Sequence, residues 1–262
     1  MSLNTEQKLR YSRQLILPGF GEKEQERLLR GRVLVIGAGG LGSPALLYLA
    51  AAGVGHLGLV DNDAVDLSNL QRQILHSSED LGRLKVHSGS ESISALNPDV
   101  HVVTYHMRFT ADNAMDLLKD YDFIIDATDN LASKFLIADA SFLAGKPYSH
   151  AGILEYYGQT LTVLPGETAC YRCIFRSEPA ECPPFSKGVL GAVPGVVGTI
   201  QATEAIKHIL GIGRLLTNRL LTYDALDMVI RTIDIHRNAD CPLCGKNPEI
   251  RDLRRHPSGG KQ

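Results

Sequence analysis

Short apolar runs alternate with longer amphipathic stretches through the first half of the chain. Residues 32–36, 56–61, 100–105 and 122–127 are apolar runs of strand length. Residues 41–52, 80–96 and 111–118 carry helical spacing between them, and Asn97-Pro98 stops the second of these helices. A further helix is predicted over 132–143, ending near Gly145, and residues 147–151 begin another strand. Ahead of the first strand, residues 5–16 and 22–30 predict two helices separated by Pro18-Gly19. Strand and helix alternate throughout, which argues for an α/β fold with a doubly wound, mainly parallel sheet.

The rhythm changes after about residue 150. Residues 153–164 read as extended chain with a turn near Gly158, and 193–210 as a helix. Residues 220–223 and 228–235 read as strands able to pair antiparallel, extending the sheet. Between them, 165–192 is irregular and rich in Pro, Gly, Cys and charge; stretches of that length inside a compact domain usually serve function. The whole chain, 1–262, reads as one domain: N-terminal helices over 1–30, a nucleotide-binding half over 31–152, a second half over 153–245 and a tail over 246–262. The tail, with Arg251, Arg254, Arg255 and Lys261, reads as a frayed, solvated end.

Composition adds little beyond exclusions. Apolar content of 44% and charged content of 21% are those of an ordinary globule. A net charge of −2 gives no general attraction to nucleic acid or to an anionic membrane. The first twenty residues carry charges and lack the apolar core of a signal peptide. No run reaches the roughly 20 apolar residues needed to span a bilayer. A cytoplasmic location is the resulting expectation. Four of the five cysteines fall in two C-x-x-C pairs, which in a reducing compartment suggests metal rather than disulfide.

Chemistry concentrates first at "GAGGLG", residues 37–42, between a predicted strand and a predicted helix. This matches G-x-G-x-x-G in its Rossmann-like context. Gly37 allows a tight turn, Gly39 lets backbone approach a phosphate, and Gly42 permits close helix–strand packing, with Gly40 between them. Asp61 ends the next strand, where a carboxylate accepts bonds from a ribose. The loop alone does not choose between NAD and ATP, but the polar residues beyond it bear on that choice. "DNDAVDLSNLQRQ" gathers Asp61, Asp63, Asn69, Arg72 and Gln73; Lys85 lies beyond, and "DATDN" closes the fourth strand with Asp129 and Asn130. Cations at Arg72 and Lys85 and a magnesium ligand at Asp129 suit the β- and γ-phosphates of ATP better than a nicotinamide pocket.

Cys170-x-x-Cys173 and Cys241-x-x-Cys244 offer four thiolates, the set of a closed tetrahedral zinc site. Such an ion would tie the irregular stretch to the C-terminal end of the fold. Redox-active C-x-x-C motifs and nucleic-acid-binding ribbons also use such pairs. Neither pair reads as opening a helix after a strand, and no basic or aromatic surface surrounds them.

Taken together, RYSRQ, GAGGLG, DNDAVDLSNLQRQ, Lys85, DATDN, CYRC and CPLC resemble the HesA/MoeB/ThiF family of ubiquitin-activating-enzyme-like adenylyltransferases, over nearly the whole chain. The resemblance implies that Mg-ATP reacts with the Gly-Gly carboxylate of a small ubiquitin-like sulfur carrier, giving an acyl-adenylate and pyrophosphate. It implies a role in thiamine or molybdopterin cofactor synthesis, with sulfur coming from a separate sulfurtransferase or cysteine desulfurase. Residues 153–245 would then bind the carrier. By the same resemblance the loop glycines lie along the phosphates, Asp61 holds the ribose, Asn69, Arg72 and Lys85 contact phosphate, and Asp129 binds magnesium. Arg13 corresponds to an arginine that crosses a homodimer interface into the partner's site, an arginine finger. Cys182, on the irregular stretch, corresponds loosely to a cysteine that in some members links covalently to the carrier; otherwise it is an incidental thiol. Other readings of the chain are an NAD-dependent oxidoreductase and a carrier-binding scaffold without catalysis. His56, His76, His150 and His208 lack metal-ligand spacing and read as structural or surface groups.

Overall fold

The computed structural model describes residues 2–175 and 188–256. In chain order the elements are α1 (Thr5–Arg10), α2 (Ser12–Leu15), α3 (Glu22–Arg30), β1 (Arg32–Ile36), α4 (Gly42–Ala52), β2 (His56–Val60), α5 (Lys85–Leu96), β3 (His101–Tyr105) and α6 (Ala114–Leu118). Then come β4 (Phe123–Asp126), α7 (Leu131–Leu143), β5 (Tyr148–Leu154), β6 (Tyr157–Val163), α8 (Tyr171–Ile174), α9 (Ala192–Leu210), β7 (Arg219–Asp224) and β8 (Val229–Asp234). Two single turns of tighter 3-10 helix, Leu67–Asn69 and Ser78–Asp80, lie between β2 and α5.

The eight strands form one sheet in the order β3-β2-β1-β4-β5-β6-β7-β8. β3 to β5 run parallel; β6, β7 and β8 join antiparallel. The winding reverses between β1 and β4, and in doubly wound sheets ligands bind at the strand C-termini where that reversal opens a crevice. Alternate residues of β1 face opposite layers. Val33 and Val35 join a core with Leu46 and Leu49 of α4, Ile93 of α5 and Val197 of α9. Leu34 and Ile36 join a second core with Leu118 of α6, Phe135 of α7 and Leu253 of the tail. Burial on both faces explains why these strands are continuous apolar runs.

α9 crosses behind the sheet at its full 19 residues, about 28 Å at 1.5 Å per residue. Pro194 in its first turn would meet a Cβ added at Gly40, at 3.2 Å. At its other end Arg27 of α3 donates to the carbonyls of Leu210 at 2.7 Å and Ile209 at 2.8 Å, and Gly211 closes the helix at φ 67°.

Four expectations change. The helix over 5–16 breaks at Tyr11, whose ring is buried and whose hydroxyl meets Asn97 at 2.9 Å. The helix expected from Asp80 starts at Lys85, because Gly82 takes φ +78°. The hairpin turn falls at Glu155, φ 54°, rather than at Gly158. Gly158 instead sits in β6 where an added Cβ would lie 2.5 Å from Val197, so its lack of a side chain seats α9. The tail is not frayed up to residue 256: Ile250, Leu253 and His256 are buried. Finally, no helix among the described residues is long and apolar enough to cross a membrane.

Candidate nucleotide site and cysteine cluster

β1 and β4 pair through Ile36 and Asp126, so the glycine loop leaves one strand beside the DATDN turn leaving the other. Two loop glycines are demanded by packing. Gly37 holds φ +103° and a Cβ there would lie 2.7 Å from the Ala127 carbonyl oxygen; at Gly42 it would lie 1.9 Å from the Gly37 oxygen. Gly39 leaves room, whereas Gly40 is tightly approached. An added Cβ at Gly39 meets nothing nearer than Gln73 Nε2 at 3.5 Å, and at Gly40 nothing nearer than Pro194 at 3.2 Å and Arg72 Cγ at 3.4 Å. Gly39 therefore keeps backbone accessible rather than solving a packing problem, while Gly40 also lets Pro194 of α9 come close.

Asp61 braces the loop. Its carboxylate accepts from the backbone N–H of Ala38 at 2.8 Å and of Asp63 at 2.8 Å. Lys85, the first residue of α5, is buried, and its Nζ donates to Asp63 Oδ2 at 3.1 Å. Asn69 lies in the 3-10 turn that Asp66 caps, and Arg72 Nη1 donates to the Ser68 carbonyl at 3.0 Å. Gln73 is buried beneath Gly39, and its Oε1 has no hydrogen-bond partner among the described residues. The structure thus brings together Gly37, Gly39, Gly40, Gly42, Asp61, Asp63, Arg72, Gln73 and Lys85. Asp129 is exposed on the adjoining turn, and Asn130 accepts from Ser133 N at 2.9 Å as the N-cap of α7. Arg13 is exposed on α2 and makes no hydrogen bond or ion pair among the described residues. Cys182 lies outside the described residues.

On the opposite layer the four cysteines converge. Cys170 Sγ lies 3.8 Å from Cys173 and 3.5 Å from Cys241, Cys173 lies 3.4 Å from Cys244, and all four sulfurs fall within 4.8 Å of one another. Zinc–sulfur bonds of about 2.3 Å in a tetrahedron put sulfurs roughly 3.8 Å apart, so the cluster fits such an ion. The N–H groups of Asn238 and Cys244 point at Cys173 and Cys241, at 3.4 and 3.5 Å. Contacts with Cys173 and Cys244, aided by burial, push Cys170 far above the ordinary thiol range. Four such neighbours do not ionise together without a cation between them. Cys170 also caps the one-turn α8, a short helix inside a stretch expected to be irregular.

The ThiF family profile matches residues 11–243. The chain belongs to the ThiF family. It is similar to the "sulfur carrier protein adenylyltransferase" of Thermus thermophilus, 45% identical over 93% of this chain and 93% of that protein. It is likewise similar to the "probable adenylyltransferase/sulfurtransferase MoeZ" of Mycobacterium tuberculosis, 47% identical over 92% of this chain but 63% of the longer protein. Among solved structures, E. coli MccB bound to ATP has the same fold, with a TM-score of 0.79 at 24% identity over 92% of this chain and 75% of that one.

Within this ThiF-family fold, the sequence reading missed two buried ionic clusters. Asp126 bonds His150 Nδ1 at 2.9 Å, Thr128 Oγ1 at 2.6 Å and Lys134 Nζ at 3.3 Å. Burial opposes its ionisation, but Lys134, His150 and Thr128 outweigh it and hold the carboxyl down to about 2. Burial also lowers the pKa of His150, whose Nε2 has no partner among the described residues and lies beside the Tyr171 ring, 4.6 Å between centroids. The second cluster is Asp139 of α7, gripped by Arg172 through Nε at 2.8 Å and Nη2 at 2.7 Å and by His256 Nε2 at 2.9 Å. Arg172 sits between two cluster cysteines and stacks on Phe135 at 4.4 Å. Acids inside apolar runs, FIID and LIADA, were the available signal.

Proposed function

We propose that this ThiF-family adenylyltransferase activates the C-terminal carboxylate of a small ubiquitin-like sulfur-carrier protein with ATP. The observation that carries this reading is the glycine loop braced by Asp61 at the β1/β4 reversal, flanked by Arg72 and Lys85. The names of the relatives support it and favour ATP over NAD.

A carrier carboxylate oxygen attacks the α-phosphorus, the α–β phosphoanhydride bond breaks, and pyrophosphate leaves with the bond electrons. No base is needed, because a carboxylate is ionised at neutral pH. What the site must do is cancel repulsion and hold the groups in line. The N–H groups around Gly39 and Gly40 and the N-terminus of α4 face the phosphates. Asp61 accepts from the ribose, Asn69 and Arg72 bind phosphate, and Lys85 turns from Asp63 toward the triphosphate. Gln73 and Asn130 complete the nucleotide contacts. Magnesium, held by Asp129, would neutralise phosphate charge; an exposed carboxylate that no described residue engages fits a cation that keeps most of its waters. Arg13 reaches the site of a second copy, so the active form is a homodimer. Zinc in the cysteine cluster is structural and closed. Sulfur comes from a separate donor protein.

The test is pyrophosphate–ATP exchange with purified chain, Mg²⁺ and each Gly-Gly-ending carrier. Exchange that depends on one carrier supports the reading and separates thiamine from molybdopterin pathways. Arg72→Ala and Asp129→Ala each lower it by about 10²-fold or more. ATP binding without exchange for any carrier would leave the scaffold reading instead.

A further inference from the structure

The 128–130 turn is held on every side except at Asp129. Before it, Thr128 donates through its N–H at 3.1 Å and its hydroxyl at 2.6 Å to Asp126 Oδ1. After it, the Asn130 side chain accepts from Ser133 N at 2.9 Å and its carbonyl accepts from Lys134 N at 3.2 Å. The Lys134 side chain then folds back across the turn. Its Nζ donates to the Thr128 carbonyl at 2.7 Å, to the Ala151 carbonyl of β5 at 2.6 Å and to the Asp126 carboxylate at 3.3 Å. An ammonium has three N–H bonds, and these contacts use all of them. Both partners of the ion pair are buried, Lys134 at 7% and Asp126 at 1% side-chain exposure.

We propose that Lys134 is a positioning residue for the ATP-bound magnesium ion: by locking the 128–130 turn to β4 and β5, it sets where the Asp129 carboxylate stands. This rests on the reading of Asp129 as the magnesium ligand.

The arrangement is costly if it serves only to fold the chain. Burying an ammonium requires its full complement of partners, and apolar packing is often as stable. It gains its purpose from what it leaves over. One carboxylate projects from a turn that is tied at Thr128, Asn130 and Lys134. Magnesium demands near-octahedral geometry at about 2.0–2.1 Å, so a ligand free to wander binds it poorly. The Lys134 charge is matched by Asp126, so it does not repel the incoming cation. His150 supports the same carboxylate from β5, and Gln201 of α9 donates to the carbonyls of Asp126 at 3.0 Å and Ser149 at 3.1 Å. The turn is thereby tied to α9, whose first turn lies against Gly40 of the glycine loop.

Calorimetric titration of ATP into the 262-residue chain, with and without Mg²⁺, tests this without relying on turnover. In the wild type, Mg²⁺ tightens ATP binding, and Asp129→Ala removes that gain. Lys134→Met is expected to reduce the gain by about 10-fold or more, the scale for residues that orient a metal ligand. Affinity for metal-free ATP stays within about 2-fold. Should Lys134→Met fail to fold, Thr128→Val replaces it. That variant removes the hydroxyl bond to Asp126 but leaves the carbonyl that Lys134 holds, and a selective loss of about 3-fold is expected.

Equal losses with and without Mg²⁺, or a lowered melting temperature with an unchanged Mg²⁺ response, overturn the proposal and leave Lys134 a packing residue. A wild-type chain whose ATP affinity ignores Mg²⁺ overturns the assignment of Asp129 itself. An intact Mg²⁺ response without carrier-dependent exchange refutes only the proposed reaction.

Discussion

Asp139→Asn should be among the most damaging single-atom changes available to this protein. The side chain is fully buried and accepts two hydrogen bonds from Arg172 and one from His256. Burial opposes its ionisation, but His256 and Arg172 outweigh that and hold its pKa below the usual carboxylate value. The amide keeps the shape and loses the charge. One of its ends becomes an NH₂ facing N–H donors, and the Arg172 guanidinium loses the Asp139 carboxylate in a low-dielectric setting. Removing one partner of a buried ion pair costs about 3–5 kcal/mol. In a chain of this size each kcal/mol is roughly 2–4 °C of melting temperature, so a fall of about 6–20 °C is expected. Arg172 lies between Cys170 and Cys173, so the loss should also appear as faster metal release to a chromogenic chelator. His256→Ala breaks only one of the three bonds and should cost about 1.5–3 kcal/mol, the range for hydrogen bonds to charged groups. The double variant should cost less than the sum, because both act through the same carboxylate. A Tm for Asp139→Asn within a degree or so of wild type would refute the reasoning, since it would mean that Arg172 does not depend on this carboxylate.

Three further outcomes follow from the geometry. Gly42→Ala should fail to yield native protein, because its Cβ would stand 1.9 Å from the Gly37 oxygen; Gly39→Ala should fold with near-normal melting yet bind ATP at least about 10-fold more weakly, and calorimetry on the pair separates packing from phosphate approach. Stability should decline from pH 7 toward pH 5 in thermal melts, because burial lowers the folded-state pKa of His76, His150 and His208; their contribution is complete above the unfolded value of 6.5 and is lost as pH falls below it, while the roughly 2 kcal/mol from Asp126 persists until pH drops below about 4 and is lost toward pH 2. Stripping the cysteine cluster with a strong chelator should lower the melting temperature by about 5 °C or more, with Zn²⁺ restoring it, and unchanged melting would count against a structural metal.

The central strands were legible because burial on both faces turns them into unbroken apolar runs, as in VLVI and FIID. The glycine loop was legible for a related reason: Gly37 and Gly42 are forced by contacts with neighbouring backbone, so their spacing is fixed. Gly158 misled because a glycine between polar residues looks the same whether it turns the chain or lets a helix approach; only the position of Val197 decides. The tail misled through its arginines. Its buried set, Ile250, Leu253 and His256, repeats every third residue, a weak signal beside so much charge. The ionic clusters were illegible for a deeper reason. Asp126 with His150, and Asp139 with His256, pair residues 24 and 117 positions apart, and no local pattern announces which buried acid meets which base. The cysteine pairs escaped that difficulty because all four ligands here are cysteines in two C-x-x-C pairs, and that likeness is visible at any separation.

The burial of His256 also fixes a point of departure. Any segment joined after this residue is tethered at the Asp139 side of the molecule, on the layer that carries the cysteine cluster, rather than swinging from a loose end. A flexible linker of n residues spans about 5–6 Å × √n, so twenty residues reach roughly 25 Å from that anchor. Its effective concentration is then highest around the layer where it starts and falls steeply across the sheet. A label, a purification tag or a fused module placed there would report on, or act upon, that face first. Moving the same fusion ahead of α1, whose Arg10 bonds the Leu96 carbonyl of α5, would place it against a different neighbourhood at the same linker length.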